Sequence, residues 1–256
     1  MRTELTFAAL ASVETPLLAV AAVDTQSAKG PEAKPQPELL TSDVAVKSAT
    51  AAILAGGEFK AGATETLLIH APGGLKAARL LIVGLGKQAK ATVHSVRSAA
   101  GTAVRFAKPR GLRELVFALP EADLIPSGPC ARAAMEGAFV GDFDPDTYRS
   151  DRKDQSVQSF TVAAPANKSG ADQVAIEDAF REGRIVGQSQ NFTRSLVNEP
   201  GNKLTPTILG QRAAEMAQAV GLGCVFNRET ARAEDGRVLE RGSGFGRAAG
   251  PDRAAL

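Results

Sequence analysis

Tryptophan is missing from this chain of 256 residues, tyrosine occurs once, at Tyr148, and histidine and cysteine occur twice each. Each scarcity excludes something. Stacking on nucleic-acid bases has little material beyond phenylalanine. Cys130 and Cys224 lie far apart, with no CxxC spacing and no histidine pattern nearby, so they read as reduced thiols and not as a disulfide framework or a zinc ribbon. His70 and His94 have no carboxylate or cysteine at ligand spacing and read as structural residues. Charge of one sign is also missing. The formal net charge is +2 with both signs interspersed, which leaves no electrostatic footprint for nucleic acid. Long apolar runs are absent as well: "PLLAVAAV" (16–23) is too short to span a membrane and is bounded by Glu14 and Asp24. A soluble cytoplasmic protein is expected, with neither membrane nor nucleic acid as partner.

What is present is ordinary in amount and informative in order. Hydrophobic residues make up 44% and charged residues 23%, near the average of a soluble globular protein. Short apolar runs of strand type occupy 4–10, 17–23, 65–72, 77–86, 114–120 and 157–165. Helical spacing occupies 42–57, 91–107 and 131–141, the first with Ser42 or Asp43 as N-cap and Gly56-Gly57 as stop. The stretch 24–39 is polar, holds three prolines and reads as a surface loop. Strands alternating with helices predict a doubly wound or three-layer α/β domain to about residue 165. The first two strands are placed to pair antiparallel, so the sheet is expected to be mixed.

The second half has another texture. From Asp172 to Val197 there is no proline, and Val174, Phe180, Ile185 and Leu196 recur on a broad stripe. This predicts one long helix or two abutting, ended by Pro200. Thr205-Pro206 then supplies an N-cap and a first helical residue for a helix to about Val220. "LGCVF" (222–226) has strand character, so a second α/β domain is expected to begin near Gly201. Beyond Ala231 no periodicity survives.

Short motifs give little chemistry on their own. Gly84, Gly86 and Ala89 match the G-x-G-x-x-A dinucleotide fingerprint between a strand and a helix, but the acidic residue expected about 20 residues on is missing. They read as a tight strand-to-helix turn that needs small residues. Asp142, Asp144 and Asp146 open like a calcium loop, yet Thr147 and Lys153 stand where glycine and glutamate are required. That stretch reads as a solvated loop with an Asp-Pro turn. No residue is singled out as catalytic, cofactor-binding or metal-ligating.

One segment carries more. "TRSLVNEPGNKLTP" (193–206) resembles the junction of the leucyl aminopeptidases, cytosolic two-metal aminopeptidases in which a long helix ends in A-R-D-L-V-N-E-P-x-N-x-L-T-P. Arg194, Leu196, Val197, Asn198, Glu199, Pro200, Asn202, Leu204, Thr205 and Pro206 match in order, with Ser195 where the family usually has Asp. "RLLIVGLGK" (79–87) and "EGAFVGDFDPDTYRSDRK" (136–153) resemble family segments more loosely. The resemblance implies a macro-domain-like α/β domain with a mixed sheet flanked by helices (1–165), a linker helix (170–200) and the beginning of a catalytic α/β domain (201–228). For the full-length family it implies a homo-hexamer that hydrolyses N-terminal residues from peptides with two divalent ions, zinc or manganese.

The family's ligand strings of the types D-x-x-G-K-G, F-D-S-G-G and N-T-D-A-E-G-R do not occur in these 256 residues. Two-metal hydrolysis needs bridging carboxylates to hold both ions and activate water. The chain by itself is therefore expected to be inactive. Residues 229–256 are expected to be an out-of-frame, disordered tail. With permitted codons, "EDGRVLERGSGFG" (234–246) read one base later gives K-M-G-A-F-W-S-V-A-R-G-S, which is similar to the family's continuation. A non-catalytic assembly module, or a DNA- or nucleotide-binding module of macro-domain type, is the alternative.

Overall fold

The computed structural model describes residues 1–26, 34–121, 125–146, 148–151 and 154–223. By internal contacts the chain divides into Met1–Phe192 and Thr193–Leu256.

The first unit is built on a seven-stranded sheet of order β1-β7-β6-β2-β5-β4, with β3 paired to β2. The strands are β1 (Arg2–Thr6), β2 (Leu18–Asp24), β3 (Pro37–Leu39), β4 (Thr66–His70), β5 (Arg79–Lys87), β6 (Glu114–Ala118) and β7 (Ser159–Ala163). β2 is buried at all seven positions. That burial explains its unbroken apolar run, because a parallel strand covered on both faces needs no alternation. Leu17, Ala19, Ala21 and Val23 face one core, with Leu81, Val83, Phe117 and Phe160. Leu18, Val20 and Ala22 face the other, with Leu80, Ile82 and Val116. The Phe117 and Phe160 rings stack with centroids 6.4 Å apart.

α1 (Val44–Ala55) covers the second core with Val46. α2 (Val93–Ala107) and α3 (Ser127–Asp142) cover the first, backed by α4 (Gly170–Val197) through Ile176. The three-layer expectation holds. Glycines set the helix spacing on that face. A Cβ built at Gly141 would lie 2.7 Å from the Gly101 carbonyl oxygen, and one at Gly183 would lie 2.5 Å from that of Arg132. Ion pairs cross the same layer: Glu136 holds Arg97 at 3.4 Å and Arg132 at 2.9 Å, and Arg132 reaches Glu182 at 2.8 Å.

Three expectations are corrected. β1 does not pair with β2; it lies parallel beside β7, from Arg2↔Ser159 to Thr6↔Ala163. The sheet is mixed because β3 and β4 run antiparallel to β2 and β5. The stretch 24–39 is not all loop, since 37–39 form β3. α3 starts four residues before the expected 131, because Pro129 falls in the first turn, where its missing N–H is no loss. α4 is one helix.

Asp43 caps α1 by accepting from Ala45 N at 3.0 Å and Val46 N at 3.1 Å, and its other oxygen accepts from Ala11 N at 3.2 Å. Asp43→Ala removes all three bonds. The expected loss is about 1–2 kcal/mol, read as a lower urea midpoint with unchanged slope.

In the second unit, α5 (Pro206–Ala219) begins as read from the sequence. Thr205 Oγ1 accepts from Ile208 N at 3.4 Å, and Pro206 is the first helical residue. α4 ends at Val197, before Pro200, whose carbonyl accepts from Lys203 N at 2.8 Å. Glu199 pairs with Arg212 at 3.7 Å. Most of the expected strand 222–226 and all of the tail 229–256 lie outside the described residues.

Candidate functional site

The sheet opens at the carboxyl end of β2. β6 pairs with β2 only at Leu18 and Ala19, while β3 pairs with it from Ala22 to Asp24. β5 occupies the other side of β2 from Leu18 to Asp24. β6 therefore parts from β2, and the segment carrying β3 enters the gap. This is also where the connections diverge: after β2 the chain passes through β3, α1 and β4 to β5 on one side, and α2 then carries it across to β6 on the other. Such a switch point is the usual place for a ligand crevice in an open α/β sheet.

A cleft of about 670 Å³ lies there. Val23, Leu39, Leu40 and Ile125 give it an apolar floor, and Glu38, Lys47, Gln88, Ser127, Asn167 and Lys168 are among its polar lining residues. Its back is tied together by Glu121, whose carboxylate accepts from Thr41 Oγ1 at 3.2 Å, Ser42 N at 3.0 Å and Ser42 Oγ at 2.7 Å. Glu121 is therefore committed to the frame. Glu38, Lys47 and Lys168 are not: among the described residues none of their charged groups forms an ion pair.

The motifs weighed in the sequence fall elsewhere. Gly84 and Gly86 do not form a turn. They lie inside β5, which continues to Lys87, and α2 begins only at Val93. Their smallness serves the crossing chain at 61–63: a Cβ on Gly84 would overlap the Gly62 carbonyl and lie 2.7 Å from the Ala61 carbonyl carbon. Asp142 accepts from Val157 N at 2.8 Å and lies 4.0 Å from Lys108 Nζ. Asp144 accepts from Asp146 N at 3.0 Å, and Asp146 pairs with Arg149 at 3.6 Å. These carboxylates serve the loop and the end of α3. His70, at the end of β4, and His94, in the first turn of α2, are both exposed. No group of three or more His, Cys, Asp or Glu among the described residues converges as a metal ion would require. No helix among them is long and apolar enough to cross a membrane.

Cys130 is buried in α3, and burial pushes its thiol up from 9.0 to about 12. The folded thiol thus holds its proton more tightly than the unfolded one. Below the unfolded value of 9.0 both states are protonated; as pH rises toward about 12 the unfolded thiol ionises first and stability falls. Cys130→Ala is expected to flatten that part of the alkaline limb in denaturation curves taken at several pH values. A thiol reagent is expected to label Cys130 only on unfolding. Cys224 lies outside the described residues.

Residues 25–152 match the model described as the cytosol aminopeptidase family, N-terminal domain. A probable cytosol aminopeptidase of Acidobacterium capsulatum is 53% identical over 234 residues, covering 90% of this chain and 46% of the relative. One from Koribacter versatilis is 39% identical over 236 residues, covering 84% and 43%. The chain thus spans somewhat under half the length of these relatives. Among solved structures, the bottromycin maturation enzyme BotP in complex with Mn aligns with TM-score 0.61 at 26% identity, covering 85% of this chain and 40% of that one. A tomato leucine aminopeptidase variant aligns with TM-score 0.68 at 21% identity, covering 91% and 46%, and shows likeness of fold.

Proposed function

Since the chain belongs to the cytosol aminopeptidase family, we propose that it is the N-terminal portion of a leucyl aminopeptidase and is inactive by itself. The observation that carries this is the 53% identity to a probable cytosol aminopeptidase over 90% of the chain. In this reading the whole protein is a cytoplasmic homo-hexamer that removes N-terminal residues from peptides. Two divalent ions, manganese or zinc, would supply Lewis acidity and an activated water. The described residues of this chain do not fit those ions. The family's ligand strings are absent from its sequence, and its described side chains form no cluster of ligands. No hydrolytic step is assigned to them.

The test is an assay of the purified 256-residue chain with a leucyl amide and manganese. The expected result is no release of amine above the metal-only control. Robust turnover that a chelator abolishes would overturn the inactivity. Joining residues 1–228 to the carboxyl-terminal half of the Acidobacterium relative is expected to restore turnover.

A further inference from the structure

We propose that the cleft at the carboxyl end of β2 binds a short peptide in its zwitterionic form. The choice of a peptide rests on the aminopeptidase reading; the site itself rests on the cleft. A volume of about 670 Å³ lies within the range of pockets that enclose small organic ligands. The floor of Val23, Leu39, Leu40 and Ile125 suits an aliphatic side chain. The rim decides the charge type. Lys47 and Lys168 line the cleft together with Glu38, and none of the three is neutralised by a neighbour among the described residues. Unpaired charges of both signs around an apolar floor match a ligand that carries both an ammonium and a carboxylate. A polyphosphate would satisfy the lysines but would also meet Glu38 and the Glu121 carboxylate. A neutral apolar ligand would leave all three charges unanswered. In the matching arrangement Glu38 takes the terminal ammonium and Lys47 and Lys168 take the carboxylate. Ser127, the first residue of α3, also lines the cleft.

The proposal is tested by calorimetric titration of the whole chain with leucylleucine at neutral pH. Saturable binding is expected, weakened tenfold or more when the peptide is N-acetylated or C-amidated, because each change deletes one charge. Glu38 and Lys47 are exposed, so Glu38→Gln and Lys47→Ala should leave the circular dichroism spectrum unchanged. Glu38→Gln is expected to weaken leucylleucine and to leave the acetylated peptide unaffected; Lys47→Ala is expected to weaken leucylleucine and to leave the amide unaffected. A flat titration, equal binding of the blocked peptides, or indifference to both variants overturns the site. So does tighter binding of ADP than of leucylleucine, which would make the cleft a phosphate site. Free leucine is measured in the same samples. Its release bears on the proposed inactivity alone, and a flat titration without release removes the site while leaving the family reading intact.

Discussion

Gly137→Ala is expected to destabilise the first unit by about 3 kcal/mol, even though alanine is the better helix former. Two effects oppose each other. In the middle of a helix alanine gains about 1 kcal/mol over glycine from backbone entropy. Against this, a Cβ at 137 would overlap the carbonyl oxygen of Arg97 on α2 and lie 2.9 Å from its carbonyl carbon. The obstacle is helix backbone, and it has nowhere to go. Arg97 is tied to α3 by Glu136 at 3.4 Å and to α4 by Gln190 Oε1 at 2.7 Å, so moving α2 away also stretches those contacts. α2 would have to move away from α3, opening the packed layer of Val96, Ala100 and Ala134. Steric cost therefore wins over propensity. Gly128, in the same helix, provides the control. A Cβ there meets nothing closer than the Ala175 carbonyl at 3.5 Å, so Gly128→Ala is expected to be neutral or slightly stabilising. Urea denaturation of both variants checks the pair. Equal midpoints would mean that the glycines do not set the helix spacing.

The same glycines show what the sequence did and did not disclose. "GAFVG" (137–141) and "GRIVG" (183–187) both carry glycine at four-residue spacing, which puts the pair on one face of a helix. That spacing is a signal for close packing, and it has no part in the reading of 131–141 and 172–197 as helices. β2 and β5 were legible because strands buried on both faces must be continuously apolar. β3 was not, because three residues beginning with Pro37 carry no alternation; the strand exists only through its pairing with Ala22–Asp24. The partner of β1 was equally hidden. β7 lies more than 150 residues away, and nothing in "RTELT" distinguishes it from β2 as a neighbour. The cleft is assembled from Val23 and from residues near 38–47, 88–91, 121–127 and 167–168, five stretches that only the fold brings together. By contrast, the junction around Pro200 was legible because caps and proline act locally. Val197 closes α4 and Thr205 caps α5 where the sequence placed them.

Gly84→Ala is the second large effect, and it bears on function as well as on stability. The segment before β4 is held tightly against β5. Thr64 N donates to Gly84 O at 2.8 Å, Gly84 N to Glu65 O at 2.8 Å and Gly86 N to Ala61 O at 3.0 Å. The Glu65 carboxylate fixes the loop further by accepting from Gly62 N at 2.7 Å and Lys60 N at 3.1 Å. Ala61 and Thr64 already sit at φ 54° and 61°, in the left-handed region that side chains disfavour, so the loop has little freedom to retreat. A methyl group at 84 must displace backbone at Ala61 and Gly62 and break those bonds. A loss of about 3 kcal/mol or more is expected, visible as a large drop in the urea midpoint. Gly86→Ala meets only ordinary contacts at 3.6 Å or more but must adopt φ 86°, so about 1–2 kcal/mol is expected there. A dinucleotide fingerprint would require the opposite arrangement, with these glycines exposing backbone to a pyrophosphate. Here the backbone of 61–63 occupies that approach. Titration with NAD is accordingly expected to give no saturable signal in the unaltered chain. A saturable signal lost in Gly86→Ala would restore the nucleotide reading of this strand.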